Sequence, residues 1–281
     1  AFNSALHSQA SALLQSTCAS RSSRPAYMES LLHELDTGDV LLYRTNDIGA
    51  TFNACVQRAT WSHVGIVVKA SPMLQQLYSH DYADEHAGTS STREELAVFE
   101  AVPRRGVSLF PLDMRLARTV DSLQLVAVRR LSKDRNFSSA QQENLNRFIK
   151  EVLGRPLEIV SCAEVRALWL NLGLCGFRSA HEDHTEFFCS ELVAESLQQL
   201  GVIPDEGLNS NDFLPSSFDH SLSSSKRLTL DGVCCKGYHY APLQMLVTPQ
   251  SPLMNELRSK KKALMQEKRE REQAAKQARK Q

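Results

Sequence analysis

With 281 residues, 42% of them hydrophobic and 23% charged, the chain has the composition of an ordinary soluble globular protein, long enough for one domain of roughly 200 residues plus extensions. Lys and Arg number 32 and Asp and Glu 32, so no overall field draws in nucleic acid or an anionic membrane, and any basic surface is local. No apolar run approaches the ~20 residues of a membrane span, and seven irregularly spaced cysteines point to a reducing compartment rather than a disulfide framework.

Residues 1–30 read as an N-terminal extension. The first 28 contain no Asp or Glu, are rich in Ser and Ala and carry Arg21 and Arg24, which is the composition of a mitochondrial transit segment; a disordered tail is the other reading. Ala1 fits either a removed initiator Met or a processing cut. The expected location is intracellular: mitochondrial on the first reading, otherwise cytoplasmic.

Residues 31–250 read as one domain. A strand is expected over 39–44 after the Thr37-Gly38 turn, then a helix through Ile48, Phe52, Cys55 and Val56, then a β-branched buried strand over 63–68 that His63 leads. The polar stretch 71–95 lacks periodicity and reads as a surface insertion. Further strands are expected over 97–101, ending near Glu100, and over 107–110 and 123–128, about five in all. Helical spacing follows. Leu145, Phe148, Ile149 and Val152 share one face, ended by Gly154 and Pro156, and Val165, Leu168, Trp169 and Leu172 share another. A third helix spans 188–200, closed by Gly201, and a Ser/Asn/Asp-rich loop occupies 209–225. Strands first and helices mostly later predict an α+β layer fold, an antiparallel sheet packed against helices.

Residues 251–281 read as a charged helix. From Leu253 onward about ten Lys/Arg face about four Asp/Glu, a net charge near +6 that leaves the remainder of the chain near −6. Leu253, Leu257, Leu264 and Met265 give it only a thin apolar stripe, so a partner is expected: a protein, RNA phosphates or an acidic surface, against the alternative of a solvated charged helix.

Cys189 falls in the first turn of the 188–200 helix, where unpaired backbone N–H groups and the positive end of the helix dipole favour thiolate over thiol. A nucleophile also needs a base and a group that orients the base; His63 and Glu100, at ends of expected strands, are the candidates. The backbone N–H groups of Cys189 and Ser190 are candidate oxyanion donors. Spacing alone favours Cys189 as a small buried hydrophobe. Asp39 is a second candidate acid, although its place beside Gly38 suits a turn cap. Cys175, His181, His184 and Cys189 lie close in sequence but lack paired Cys-x-x-Cys spacing, so no metal is expected. Cys234 and Cys235 read as ordinary strand or loop residues, and His80, His86, His181, His184 and His220 as solvated loop histidines. No phosphate loop or aromatic–basic array is present, so no cofactor is expected.

Four segments, Gly38-Asp39-Val40-Leu41-Leu42, Ser62-His63-Val64-Gly65-Ile66-Val67, Phe99-Glu100-Ala101-Val102 and Phe188-Cys189-Ser190-Glu191-Leu192-Val193, occur in an order that resembles the permuted papain-like NlpC/P60 superfamily, nearest to its YiiX/YaeF-like amidase branch. There the catalytic His precedes the Cys, as His63 precedes Cys189 by 126 positions. The later segment 211–218 looks like that family's loop after the catalytic helix, so the resemblance covers roughly residues 35 to 220. It implies a permuted papain-like fold with Cys189 as nucleophile, His63 as base and Glu100 as orienting acid, in a thiol hydrolase or acyltransferase for amides or esters. The tails motivate a second expectation: a non-catalytic accessory subunit of a large assembly, such as a mitochondrial ribosome or a cytoskeletal complex, that keeps the domain as a scaffold.

Overall fold

A computed structural model describes residues 34–45, 60–78, 95–103, 105–134, 136–156, 188–219 and 228–278. The chain divides into two units, Ala1–Glu34 and Leu35–Gln281, and the elements all lie in the second. The N-terminal extension, the helix expected around 48–56, most of the 71–95 insertion, the helix expected around 165–172 and the 221–225 serine tract lie outside the described residues.

Five strands form where five were expected: β1 (Val40–Thr45), β2 (His63–Ala70), β3 (Glu95–Val102), β4 (Gly106–Pro111) and β5 (Leu123–Arg129). A sixth, β8 (Gln244–Val247), joins them in a sheet ordered β4-β3-β2-β1-β5-β8 with every neighbour antiparallel. A separate two-stranded ribbon pairs β6 (Leu131–Lys133) with β7 (Tyr238–Tyr240). The three extra strands have three or four residues each, too few for a period of two to show in sequence.

Both faces of the sheet are covered, which explains why its strands are apolar runs rather than alternating ones: Val40, Leu41, Leu42 and Tyr43 are all buried, as are Val64, Ile66, Val67 and Val68. Phe99 meets Phe148 of α3 (Ser139–Val152) edge to face, putting α3 on one side. Its neighbour Glu100 points to the other side and is gripped from α2 (Leu112–Thr119). The helix α4 (Cys189–Gln199) packs against β2, β3 and α3, and the long α6 (Pro252–Ala278) against α2 and β8.

The insertion opens on a short helix, α1 (Pro72–Gln75), because Ser71 Oγ accepts from Leu74 N and Leu74 is buried; local capping supplies order where periodicity is missing. The loop after α4 holds two 3-10 turns, Ser210–Asp212 and Pro215–Phe218. The short α5 (Leu230–Val233) is tied to the sheet by Arg129, 1% exposed, whose guanidinium takes both oxygens of Asp231 at 2.7 and 3.0 Å. Cys234 and Cys235 follow it as free thiols. Asp39 caps its turn, accepting from Asp36 N at 2.9 Å and from Leu131 N at 2.8 Å, and burial pushes its carboxyl up to about 6. Among the described residues no helix is long and apolar enough to cross a membrane.

Candidate active site

Three elements converge on one point: the start of β2, the end of β3 and the N-terminus of α4. His63 is the first residue of β2 and faces Tyr43 in register on β1, the two rings 5.5 Å apart. Gly65 lets β3 come close. A Cβ on Gly65 would stand 3.2 Å from Glu100 Cβ and 2.8 Å from Val98 Cγ2, so glycine alone leaves room for the carboxylate to reach its neighbour's ring. Glu100 Oε2 lies 2.6 Å from His63 Nε2, with the Glu100 side chain 0% and the His63 side chain 14% exposed.

Phe188, extended at the N-cap, donates its backbone N–H to Glu191 Oε2 at 3.1 Å and so leaves the first turn of α4 to Cys189. Asn211, its amide turned nitrogen-first, donates to the same Glu191 carboxylate and ties the following loop to that turn. At the other end, Gly201 at φ +66 adopts the left-handed conformation that closes the helix, as its sequence position predicts. Cys189 is half-buried, hydrogen-bonded to His63, and receives the backbone N–H groups of Val64 and Ser190 on its sulfur. With Nε2 committed to Glu100, Nδ1 is the imidazole nitrogen left for the thiol.

The electrostatics follow from these contacts. Burial by itself would strip the proton from His63, but the charge and hydrogen bonds of Cys189 and Glu100 outweigh it and lift the imidazole to about 9. Burial also favours a neutral Glu100, yet the Arg115 guanidinium and His63 hold its carboxyl down at about 2. For Cys189 burial again favours the neutral thiol, and the His63 charge, its hydrogen bond and the two backbone N–H groups together bring it below its usual range. These contacts therefore favour thiolate and imidazolium over the neutral pair, with a carboxylate behind the ring.

The sequence-expected trio of Cys189, His63 and Glu100 is thus brought together, while Asp39 is spent on its turn. Ser190 N–H points at the Cys189 sulfur rather than into open space. Sequence reasoning missed Arg115. It sits on α2, a helix not expected; Pro111 at its N-cap and Asp113 in its first turn were the available signals, and nothing marks Arg115 itself. Cys175, His181 and His184 lie outside the described residues, as do His80, His86 and His220. Among the described residues no three His, Cys, Asp or Glu side chains are grouped to hold a metal ion.

Residues 34–161 match the family model of the permuted papain-like amidase enzymes, YaeF/YiiX, C92 family. That stretch contains His63, Glu100 and Arg115, and Cys189 lies beyond it. No curated protein matches the chain. Among solved structures, the crystal structure of the metalloprotein YiiX from Escherichia coli O157:H7 (DUF1105) aligns at 18% identity with a TM-score of 0.36, covering 59% of this chain and 67% of that one. The chain is thus similar, across residues 34–161, to the permuted papain-like amidases of the YaeF/YiiX, C92 family, and its described residues form an α+β architecture around a six-stranded antiparallel sheet.

Proposed function

We propose that the protein is a cysteine-dependent hydrolase or acyltransferase acting on an amide or ester carbonyl, with Cys189 as nucleophile, His63 as acid and base, and Glu100 as the acid that orients His63. The observation that carries this reading is the contact chain from Cys189 through His63 to a fully buried Glu100, poised at a helix N-terminus. The match to a family of papain-like amidases supports the same reaction class.

In the first half-reaction the Cys189 sulfur donates an electron pair to the carbonyl carbon, a C–S bond forms, and the C=O π pair moves onto oxygen. The backbone N–H of Cys189 at the helix N-terminus is the donor offered to that oxyanion, since Ser190 N–H is directed at the sulfur. The oxyanion collapses, the C–N or C–O bond breaks, and the leaving group departs with that pair and the proton from His63. In the second, neutral His63 takes a proton from water or an acceptor hydroxyl or amine, whose heteroatom attacks the thioester. The C–S bond then breaks and the thiolate returns beside imidazolium. Glu100, charged throughout, keeps the ring in one orientation and favours its protonated form.

The test compares the wild-type chain with Cys189→Ala and His63→Ala in labelling by an activity-based thiol electrophile, followed by turnover of a panel of amides and esters. Rapid labelling at Cys189 that both substitutions abolish supports the proposal. Wild-type protein labelled no faster than Cys189→Ala would sink it.

A further inference from the structure

The grip of α2 on the buried carboxylate is not part of the three-residue scheme. We infer that Arg115 is a positioning residue for the proposed reaction: its two-point hold on Glu100 fixes the oxygen that faces His63 and thereby governs the charge state of the Cys189–His63 pair. This rests on the roles proposed above for Cys189, His63 and Glu100.

The contacts are asymmetric in a telling way. Arg115 Nε donates to Glu100 Oε1, and Nη2 donates to Oε2 at 3.3 Å, the same oxygen that His63 Nε2 meets at 2.6 Å. Oε1 is therefore held by Arg115, and Oε2 is shared between Arg115 and the imidazole. Glu100 is 0% exposed, so no solvent replaces a lost partner. The guanidinium is held in turn: its centre lies 5.8 Å from the Tyr43 ring and 5.7 Å from the Phe110 ring. Tyr43 is also the residue that supports the His63 ring, so a single aromatic side chain sets both partners of Glu100. Its hydroxyl is buried and has no hydrogen-bond partner, so it does not compete for the carboxylate.

Among the described residues, the polar groups around Glu100 are Tyr43 from β1, His63 from β2, Ser108 in register on β4 and Arg115 from α2, with Cys189 of α4 behind His63. Ser108 donates to Gly106 O and carries no charge. Two effects of Arg115 on His63 oppose each other. Its positive charge disfavours imidazolium directly, and its hold on Glu100 favours imidazolium through the carboxylate. The second dominates because a buried Glu100 left with Oε1 unpaired takes up a proton, and a neutral carboxyl no longer stabilises the charged ring at 2.6 Å.

The experiment uses the full chain and measures the pH dependence of iodoacetamide alkylation at Cys189, read from the Cys189 peptide by mass spectrometry. In Arg115→Gln the midpoint for thiolate formation rises by about one unit or more, which is roughly a tenfold loss of alkylation rate on the acid limb. In Arg115→Lys, which keeps the charge without the planar fork, the midpoint falls between the two. A merely structural role would lower stability in both variants and leave the midpoint where it is. An Arg115→Gln protein that titrates as wild type overturns the inference. Should Arg115→Gln not fold, a wild-type midpoint in Arg115→Lys overturns the two-point hold. An ordinary free-thiol titration in the wild type is a different result: it removes the proposed function and this inference with it.

Discussion

At the residue scale, the coupling of Cys189, His63 and Glu100 makes the site readable by pH. On the proposed mechanism the reactive pair is favoured from the lowered Cys189 titration up to the loss of the His63 proton at about 9. Turnover therefore rises as the thiolate forms and falls through an alkaline limb near pH 9; a limb near 6.5, the ordinary value for histidine, would show His63 to be uncoupled. The same shifts bear on stability. Glu100 titrates at about 2 rather than 4.5, so the stability it contributes is present above pH 4.5 and is lost as pH falls towards 2. His63 is raised from 6.5 to about 9, so its contribution is complete below 6.5 and disappears as pH rises through 9. Glu100→Gln removes the buried charge that Arg115, 14% exposed, and His63 both contact, a loss of about 3–5 kcal/mol for a broken buried pair. The Tm gap between that variant and the wild type should be widest near neutral pH and narrow on acidification towards pH 2. A gap independent of pH would mean that packing, not charge, is what Gln disturbs.

Between elements, the spacing of β2 and β3 is set by Gly65, and a methyl group there has nowhere to go. Its Cβ would meet Val98 Cγ2 at 2.8 Å and Glu100 Cβ at 3.2 Å, atoms close to the β3 backbone rather than the ends of flexible chains. Gly65→Ala should push β3 away from His63, lower stability by about 1–3 kcal/mol as overpacking does, and slow alkylation of Cys189 at acid pH. Full alkylation with reduced stability would separate the strand spacing from the chemistry. The five long strands are legible in sequence because burial on both faces makes each a run of apolar, β-branched residues, as in His63–Ala70. Leu145, Phe148, Ile149 and Val152 mark α3 equally well, since all four are buried on one face. The helix α2 is not legible in the same way. Its buried residues Leu112, Met114, Leu116 and Ala117 mix periods of two and four over eight residues, wedged between two strands. Missing that helix means missing Arg115. Cys189, His63 and Glu100 are legible because each leads or ends a segment with a recognisable motif, whereas a residue that acts on a carboxylate from across the sheet leaves no local mark.

At the scale of the whole molecule, α6 is two helices in energetic terms. Leu253, Met254 and Leu257 of its first turns are buried, and Lys260 and Lys261 pair with Asp113 on α2 and Asp121 just beyond it. Past Lys262 the described side chains are exposed or nearly so, Met265 at 50%, and the hydrogen bonds there, such as Arg271 to Glu267, stay within the helix. A stretch of that length with little to bury is a marginal helix in water. Removing residues 263–281 should therefore shift stability by no more than about 0.5 kcal/mol, the usual range for surface changes. Removing everything from Pro252 onward exposes the seat of three large apolar side chains, each worth about 1.5–3 kcal/mol when fully buried, while the lysine pairs add at most about 1 kcal/mol apiece. The longer deletion also strips the outer cover from α2, the helix that carries Arg115 to Glu100. The shorter truncation should keep wild-type alkylation of Cys189 across pH, and the longer one should lose stability and raise the midpoint for thiolate formation together. A longer truncation that unfolds more readily but still titrates as wild type would show that α2 holds Arg115 in place without α6.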